Sequence, residues 1–176
     1  MEYIDTLLEF SRVERGAFIL KKEPIQIDKL IIGIVEAMKP QLEAKNIQVT
    51  LDLKAQSAAL SGDDLKLGQV LKNLMGNSIK FVKEDPKIVI SSSIAPQGEV
   101  EISIKDNGIG IDKDQLGKIF NKFYQVDASI TRKVGGLGLG LAISKEIVES
   151  HGGKIRAESE GLGKGSAFIF SIPVIK

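Results

Sequence analysis

The chain has no cysteine and a single histidine, and this scarcity excludes several kinds of site. Without cysteine it can form neither disulfides nor thiolate metal sites, which suits a reducing cytosol. One histidine without any cysteine gives no support to a zinc site or to a Ser-His-Asp triad.

The chain also lacks a long apolar run and a strong net charge. No apolar stretch approaches the roughly 20 residues that a membrane-spanning helix needs, and the N-terminal residues do not have the pattern of a signal peptide. A formal net charge of +1 gives no reason to expect nucleic acid or an anionic membrane as a partner. With 176 residues, of which 43% are hydrophobic, the chain is long enough for one domain with a substantial core. We therefore expect a cytoplasmic globular protein.

Hydrophobic periodicity predicts helices and strands along the whole chain. An amphipathic helix over residues 1–18 comes first. The later helices are expected over Asp28–Lys45 with Asp28 as N-cap, Gln69–Val82 after a turn and cap at Ser61-Gly62-Asp63, Ile111–Phe120, and Leu139–Ser150. The strands are expected over Lys22–Ile27, which Pro24 places at an edge, Ile47–Leu53, Lys87–Ile94, Glu99–Lys105, Lys154–Ser159 and Ser166–Val174.

The helix over Gln69–Val82 has an unusual polar side. At about 100° per residue, Asn73, Asn77 and Lys80 lie within roughly 60° of one another. The core face of the same helix consists of Val70, Leu71, Leu74, Ser78 and Phe81. A solvated stripe is the alternative, but Asn is a poor residue in mid-helix because its short amide competes for backbone hydrogen bonds. Two such residues and a lysine indicate a ligand that needs amide oxygens and one cation.

The sequence Asp106-Asn107-Gly108-Ile109-Gly110 follows directly on a strand. The two glycines permit a tight turn whose backbone approaches a ligand closely, although an ordinary turn is the alternative. An ionised Asp106 only accepts hydrogen bonds. It would suit a donor such as the exocyclic amine of adenine, and it would repel the carbonyl that guanine carries at that place.

A second glycine cluster, Gly135–Leu141, opens a helix. Four glycines within six residues, followed by a helix start, are typical of an anion-binding helix N-terminus. The alternation with leucine argues against a loose linker, and the surroundings fit neither a Rossmann fingerprint nor a P-loop. Residues 121–135, just before the helix, have no sustained periodicity, and a loop of this length is usually functional or mobile. A third glycine stretch, Gly161–Ser166, is by itself typical of a plain hairpin turn.

The single histidine, His151, is expected to have a structural role. It lies in the last turn of the helix over Leu139–Ser150, where a donor meets free carbonyls and Gly152 supplies a left-handed C-cap.

Taken together and in this order, these stretches resemble the catalytic and ATP-binding domain of sensor histidine kinases, a member of the GHKL superfamily with the Bergerat fold. The resemblance covers about Pro24 to Val174. Its motifs are Gln69–Val82 as the N box, Asp106–Gly110 as the G1 box, Ile119–Gln125 as the F box, Gly135–Leu141 as the G2 box and Gly163–Ser166 as the G3 region. It implies an α+β two-layer sandwich: a mixed, mostly antiparallel sheet of about five strands plus a short edge strand, about three helices and a mobile ATP lid.

The resemblance also implies a role for each site residue. Asn77 would be the ligand of Mg²⁺, and the catalytic residues Asn73 and Lys80 would contact phosphates or order the waters of the metal. Asp106 would take the adenine amine, assisted by water and Ser166. The other nucleotide-binding residues would be Gly108 and Gly110 in the purine pocket, Tyr124, Arg132 and Lys133 in or beside a lid over Tyr124–Val134, and Gly136, Leu137, Gly138, Leu139 and Gly140 at the phosphates.

Two residues depart from the pattern of the family. Gln125 stands where some relatives have a basic residue, so this phosphate contact is missing or moved to Arg132. Leu137 stands where Thr or Ser is common, which removes a hydroxyl. Neither departure affects the expected fold or metal site.

The main alternative is a GHKL ATPase of the gyrase, mismatch-repair or heat-shock chaperone type. Those enzymes place a Glu four residues before the metal-binding Asn, where this chain has Asn73, which cannot take a proton. A neutral imidazole needs no such base, so we expect histidine as the acceptor and very slow hydrolysis. A non-catalytic nucleotide-binding module is a further alternative.

Residues 1–20 resemble the end of a dimerisation and phosphoacceptor helix with its linker, before a catalytic domain over residues 21–176. The phosphoacceptor motif is absent, so we expect no self-phosphorylation by this chain. The expected partners are ATP or ADP, the histidine-bearing dimerisation domain of the same kinase and the receiver domain of a response regulator. We expect the chain to be the cytosolic part of a larger sensor, with no nucleic acid or membrane contact of its own.

Overall fold

The computed structural model describes residues 20–126 and 137–175. In these ranges the chain forms seven strands and three α-helices. In chain order they are β1 Glu23–Ile25, α1 Ile27–Ala44, β2 Gln48–Leu53, β3 Leu60–Gly62, α2 Asp64–Phe81, β4 Lys87–Ala95, β5 Glu99–Asp106, α3 Gly140–Ser150, β6 Lys154–Glu158 and β7 Ser166–Pro173. The helix predicted for residues 1–18 lies outside the described residues, and the domain boundary near residue 20 stays a prediction.

Five of the strands form one mixed sheet in the order β2-β4-β5-β7-β6. The edge strand β2 pairs with β4 in parallel, and the other neighbours are antiparallel. The three helices pack on one face of this sheet, so the predicted two-layer α+β sandwich is confirmed. The short strand β1 differs from the expectation, because it pairs with β3 in a separate two-stranded sheet. Ser61 and Gly62, expected in a turn, are therefore extended.

The core lies between the sheet and the helices. Side chains alternate across a strand, and every second one is buried from Ile88 to Ser92 in β4 and from Val100 to Asp106 in β5. Helix α1 covers them with a stripe at helical spacing that includes Ile31, Met38 and Leu42. Each such side chain contributes about 1.5–3 kcal/mol when it is removed from water. This burial fixes the helices on the sheet.

The start of α1 differs from the prediction. The N-cap position is Gln26, without a side-chain cap, and Asp28 lies inside the first turn. The carboxylate of Asp28 is buried and accepts hydrogen bonds from Ser92 Oγ at 2.6 Å and from the backbone N–H of Ala55 at 3.1 Å. Because these donors belong to β4 and to the segment after β2, Asp28 ties the helix to the sheet instead of capping it.

The helix predicted over Ile111–Phe120 is wrong. Residues 113–120 form consecutive turns in which most backbone hydrogen bonds span three residues, such as Gln115 N to Asp112 O at 2.9 Å. Asp112 does accept from the backbone N–H of Asp114 at 3.0 Å, but as a local turn. Gly117 disfavours a regular helix here, and the Ser159 hydroxyl accepts the N–H of Ile111 at 3.0 Å.

Side chains from other elements hold both ends of α2. Asp63 is the N-cap and accepts the N–H of Lys66 at 3.1 Å, as predicted. His151 accepts the N–H of Asp63 at its Nε2 (2.9 Å), and its Nδ1 lies 2.7 Å from Ile147 O. A neutral ring with the proton on Nδ1 satisfies both contacts, which confirms a structural role for His151. At the other end, Lys45 Nζ donates to the Ile79 carbonyl at 2.7 Å.

In residues 20–126 and 137–175, no helix combines the length and apolarity needed to cross a membrane.

Candidate functional site

The predicted polar stripe lies on the side of α2 that does not face the core. The residues of the core face of the same helix, such as Val70 and Leu74, are fully buried. Asn73 and Asn77 are half-buried, and Lys80 is exposed. Positions four and three residues apart share one helix face, so these three side chains lie on the same face of α2.

Asn73 is tied to α3. Its Nδ2 donates to the buried Ser144 hydroxyl at 2.8 Å. A Cβ on Gly140, the first residue of α3, would lie only 2.4 Å from Asn73 Oδ1. Glycine at position 140 therefore leaves the space that the Asn73 amide occupies.

Asp106, at the end of β5, is the most densely bonded side chain of the site. The buried carboxylate accepts from Gly108 N at 2.8 Å and Ser166 N at 3.3 Å on Oδ1. It accepts from Ser78 Oγ at 3.1 Å and Ser166 Oγ at 2.8 Å on Oδ2. A carboxylate that only accepts hydrogen bonds is thus held in one orientation by donors from three parts of the chain.

The G1 turn packs directly on the end of α2. The N–H of Ile109 donates to the Phe81 carbonyl at 3.0 Å. A Cβ on Gly108 would meet that same oxygen at 2.4 Å, so only glycine allows this approach. The helix that bears Asn73 and Asn77 is thereby joined to the turn that holds Asp106.

The third glycine stretch completes this end of the site. Gly163 N donates to Ile109 O at 2.6 Å and Gly165 N to Gly108 O at 3.2 Å. Gly110 also lies in this contact, against the Gly161 carbonyl. The stretch is therefore more than a hairpin turn, because it presents Ser166 to Asp106.

The residues on either side of residues 127–136 contact one another. Phe123 N donates to Gly138 O at 3.0 Å, and the half-buried Tyr124 and Leu137 pack on the core. The Leu139 side chain is buried in the core, so only its backbone can contact a ligand. The predicted contacts Arg132, Lys133 and Gly136 lie outside the described residues.

Sequence reasoning missed two hydroxyls of the site. Ser78 was assigned to the core face of α2, and its hydroxyl donates a hydrogen bond to Asp106. Ser144 was not singled out, and its hydroxyl accepts a hydrogen bond from the amide nitrogen of Asn73. Both side chains are fully buried. A serine at a buried position of an apolar stripe needs a hydrogen-bond partner, and that rule was the available signal.

The side chains of α2 fit Mg²⁺ better than a metal that needs several charged ligands. The described residues contain no group of three or more His, Cys, Asp or Glu that could hold a metal ion. Mg²⁺ in nucleotide sites takes one or two protein oxygens and completes its shell with waters and phosphates. The half-buried amide of Asn77 offers such an oxygen.

Residues 62–176 match the family described as histidine kinase-, DNA gyrase B- and HSP90-like ATPase. Two curated relatives are sensor protein RprX of Bacteroides fragilis, 36% identical over 98% of this chain, and sensor histidine kinase WalK of Bacillus subtilis, 36% identical over 97%. This chain spans 33% and 28% of their lengths.

Solved structures agree with these relatives. Full-length ShkA in complex with AMPPNP matches 98% of this chain and 35% of that protein, with a TM-score of 0.87 and 30% identity. Histidine kinase ThkA in complex with response regulator protein TrrA matches 99% of this chain and 48% of that chain, with a TM-score of 0.77 and 25% identity. This chain belongs to the GHKL family, as an ATP-binding catalytic domain of the sensor histidine kinase type.

Proposed function

We propose that this chain binds ATP with Mg²⁺ and transfers the γ-phosphoryl group to a histidine on a separate dimerisation domain. One observation carries the proposal: one helix, α2, bears a stripe of two amides and a cation and also donates through Ser78 to a buried, acceptor-only carboxylate, Asp106. The carboxylate can accept a hydrogen bond from the amine of adenine, and the stripe of amides and a cation can bind a metal–triphosphate group.

At the base end, Asp106 would accept the adenine amine. The protein already supplies four donors to its two oxygens. Because a hydroxyl rotates freely, Ser166 Oγ can turn from Asp106 toward the base and leave one lone pair of Oδ2 for the amine. Guanine has a carbonyl in place of the amine, so its oxygen would face the carboxylate.

At the phosphate end, Asn77 would hold Mg²⁺ and Lys80 would contact the phosphates. Bound Mg²⁺ neutralises charge on the phosphate oxygens. The backbone N–H groups at Gly138 and Gly140 lie at the start of α3, where unpaired donors and the positive end of the helix dipole favour an anion. Arg132, Lys133 and Gly136 stay predicted contacts.

The position of Asn73 supports histidine as the acceptor. In the transfer step, a nitrogen lone pair of neutral imidazole forms the N–P bond while the bond from phosphorus to the bridging oxygen breaks, and its electron pair leaves with ADP. Water and serine hydroxyls need a base for such an attack, and an amide cannot serve as one. The site then has to position the phosphoryl group and balance its charge.

The proposed partners follow from the same reaction. The phosphohistidine would pass its phosphoryl group to the receiver domain of a response regulator, and the ThkA–TrrA complex supports such a partner. The AMPPNP complex of ShkA supports the nucleotide. We place this reaction in the cytosol, where ATP is available.

The test combines this chain, γ-labelled ATP, Mg²⁺ and a separately produced dimerisation domain that carries the phosphoacceptor histidine. We expect a label on that domain that is labile to acid and stable to base. Release of labelled phosphate without protein label would favour an ATPase. Tight ATP binding with neither product would favour a non-catalytic nucleotide-binding module.

A further inference from the structure

The hydrogen bond between Asn73 and Ser144 joins α2 to α3 and lies inside the proposed phosphate site. Ser144 is 1% exposed, and its hydroxyl oxygen lies 2.8 Å from Asn73 Nδ2. The predicted function uses Asn73 and leaves Ser144 without a role.

The two atoms of the Asn73 amide meet one face of α3. Gly140 and Ser144 are four residues apart, so they lie one above the other on the helix. The amide nitrogen reaches Ser144, and the amide oxygen lies against Gly140, where a Cβ would be 2.4 Å away. The amide is therefore held along the first turn of α3.

This orientation agrees with the electrostatics of the helix. Backbone N–H groups at a helix N-terminus carry partial positive charge, which favours an oxygen over an NH₂ group next to Gly140. The Ser144 hydroxyl can accept from the nitrogen one turn further on. Both ends of α3's first turn thus favour the same placement of the amide.

From this geometry we infer that Ser144 is a positioning residue, which acts through Asn73 on phosphoryl transfer. It holds the amide nitrogen through one of its two hydrogens, so that the whole amide keeps one orientation with its oxygen beside Gly140. With the amide fixed in this way, Asn73 would present the same atoms to the metal–phosphate group in every turnover. The inference rests on the proposed function for its kinetic consequence, whereas the placement of the amide stands by itself.

The kinetic test compares Ser144→Ala, Ser144→Thr and the control Ile147→Val. Ile147 is buried on the same helix, and its variant loses a methyl group of packing but no hydroxyl. We expect Ser144→Ala to lower kcat of transfer about fivefold to tenfold, the usual effect of one lost hydrogen bond. The KM for ATP and the Kd for ADP should stay within about twofold. Ser144→Thr keeps the hydroxyl and should restore most of kcat.

A second measurement follows the Asn73 side chain without any reaction. In ¹H–¹⁵N spectra, the side-chain NH₂ pair of Asn73 should shift and exchange faster with water in Ser144→Ala, and it should stay unchanged in Ile147→Val. An unchanged pair in Ser144→Ala would overturn the inference. An unchanged kcat with a melting temperature lowered as in Ile147→Val would overturn it too, since the bond would then only stabilise the fold.

The two proposals can fail separately. If the wild-type chain neither binds ATP nor transfers phosphate, the proposed function is wrong, and the spectra still decide where the amide is held. If the wild-type chain is active and the Ser144 variants match the control, the inference alone is wrong.

Discussion

The two ends of the proposed site along α2 are built differently. At the end of β5, the carboxylate of Asp106 has four hydrogen bonds, and the surrounding turns are joined by backbone contacts such as Ile109 N to Phe81 O. At the start of α3, the bond from Asn73 Nδ2 to Ser144 joins α2 to α3. The base end is therefore set by several bonds between distant segments before any nucleotide arrives, and the phosphate end is formed where two helices meet.

This difference suits the proposed reaction. A base is recognised by fixed donors and acceptors, so a rigid carboxylate gives selectivity without a cost of ordering on binding. A phosphoryl group has to be transferred to a second protein, so its surroundings must admit an acceptor and release ADP. Variants at each end should accordingly change different quantities.

The largest effect is expected at the phosphate end. Asn77→Ala removes the proposed metal ligand and should lower phosphotransfer at least about a hundredfold. Because Asn77 is half-buried and Ala is the better helix former, the free energy of unfolding should change by no more than about 0.5 kcal/mol. Transfer assays and chemical denaturation measure the two quantities. Retained transfer would remove Asn77 from the metal site.

Asp106→Asn changes the base end, and it should alter the selectivity for the base and the stability of the fold. The preference for ATP over GTP should fall about tenfold to a hundredfold, the usual contribution of a hydrogen bond to a charged group. The variant should also unfold more easily by about 1–3 kcal/mol, because an NH₂ group would face donors that now reach a carboxylate. Competition binding with both nucleotides and thermal unfolding provide the test, and an unchanged preference would contradict the role of Asp106.

Ser78→Ala tests the base end more finely, because it leaves the Asp106 carboxylate in place and removes only the hydrogen bond that α2 donates to it. We expect the preference for ATP over a purine nucleotide without the 6-amine to fall about fivefold, and stability to fall by about 1 kcal/mol. The exposed Ser93→Ala on β4 is the matched control and should change neither. Equal behaviour of the two variants would show that the Ser78 hydroxyl does not orient Asp106.

The smallest effect is a pH dependence of stability through His151. Desolvation lowers its pKa from the ordinary 6.5, against an opposing hydrogen bond to Ile147 O and the charge of Asp63, with Lys22 lowering it further. Below pH 6.5 the unfolded chain therefore binds a proton that the folded chain refuses, so stability should fall as the pH falls through this range. Denaturation at several pH values should show a flatter dependence for His151→Gln. An equal slope for both proteins would contradict this account.

Most of the fold was predictable because its signals are local. The strands predicted over Lys87–Ile94 and Glu99–Lys105 are confirmed by β4 and β5. The segment Ile111–Phe120 has apolar residues at helical spacing, yet its turns are set by tertiary contacts such as Ser159 to the N–H of Ile111. Local pattern could not reveal a hydrogen bond to a residue 48 positions away.

The sequence predicted which residues belong to the candidate site better than it predicted the hydrogen bonds between them. Asp106, Asn73 and Asn77 were identified as chemistry-bearing residues, and their roles toward a nucleotide stay predictions. The bonds from Ser78 to Asp106 and from Asn73 to Ser144 were missed, because a serine on an apolar face looks like core until its partner is known. The Gly161–Ser166 stretch was undervalued for the same reason, since its partners are backbone atoms of a distant turn.

The contact of Ile109 with the Phe81 carbonyl has a further consequence, because it lets one helix set the distance between the base end and the phosphate end of the site. Phe81 lies eight positions after Asn73, and at about 1.5 Å per position the two are about 12 Å apart along the helix axis. A helix does not stretch as a loop does, so the interval between the two recognition ends is fixed by residue count. A ligand that is too short, such as AMP, can contact the base end or the phosphate end but not both, however well it fits the end that it contacts.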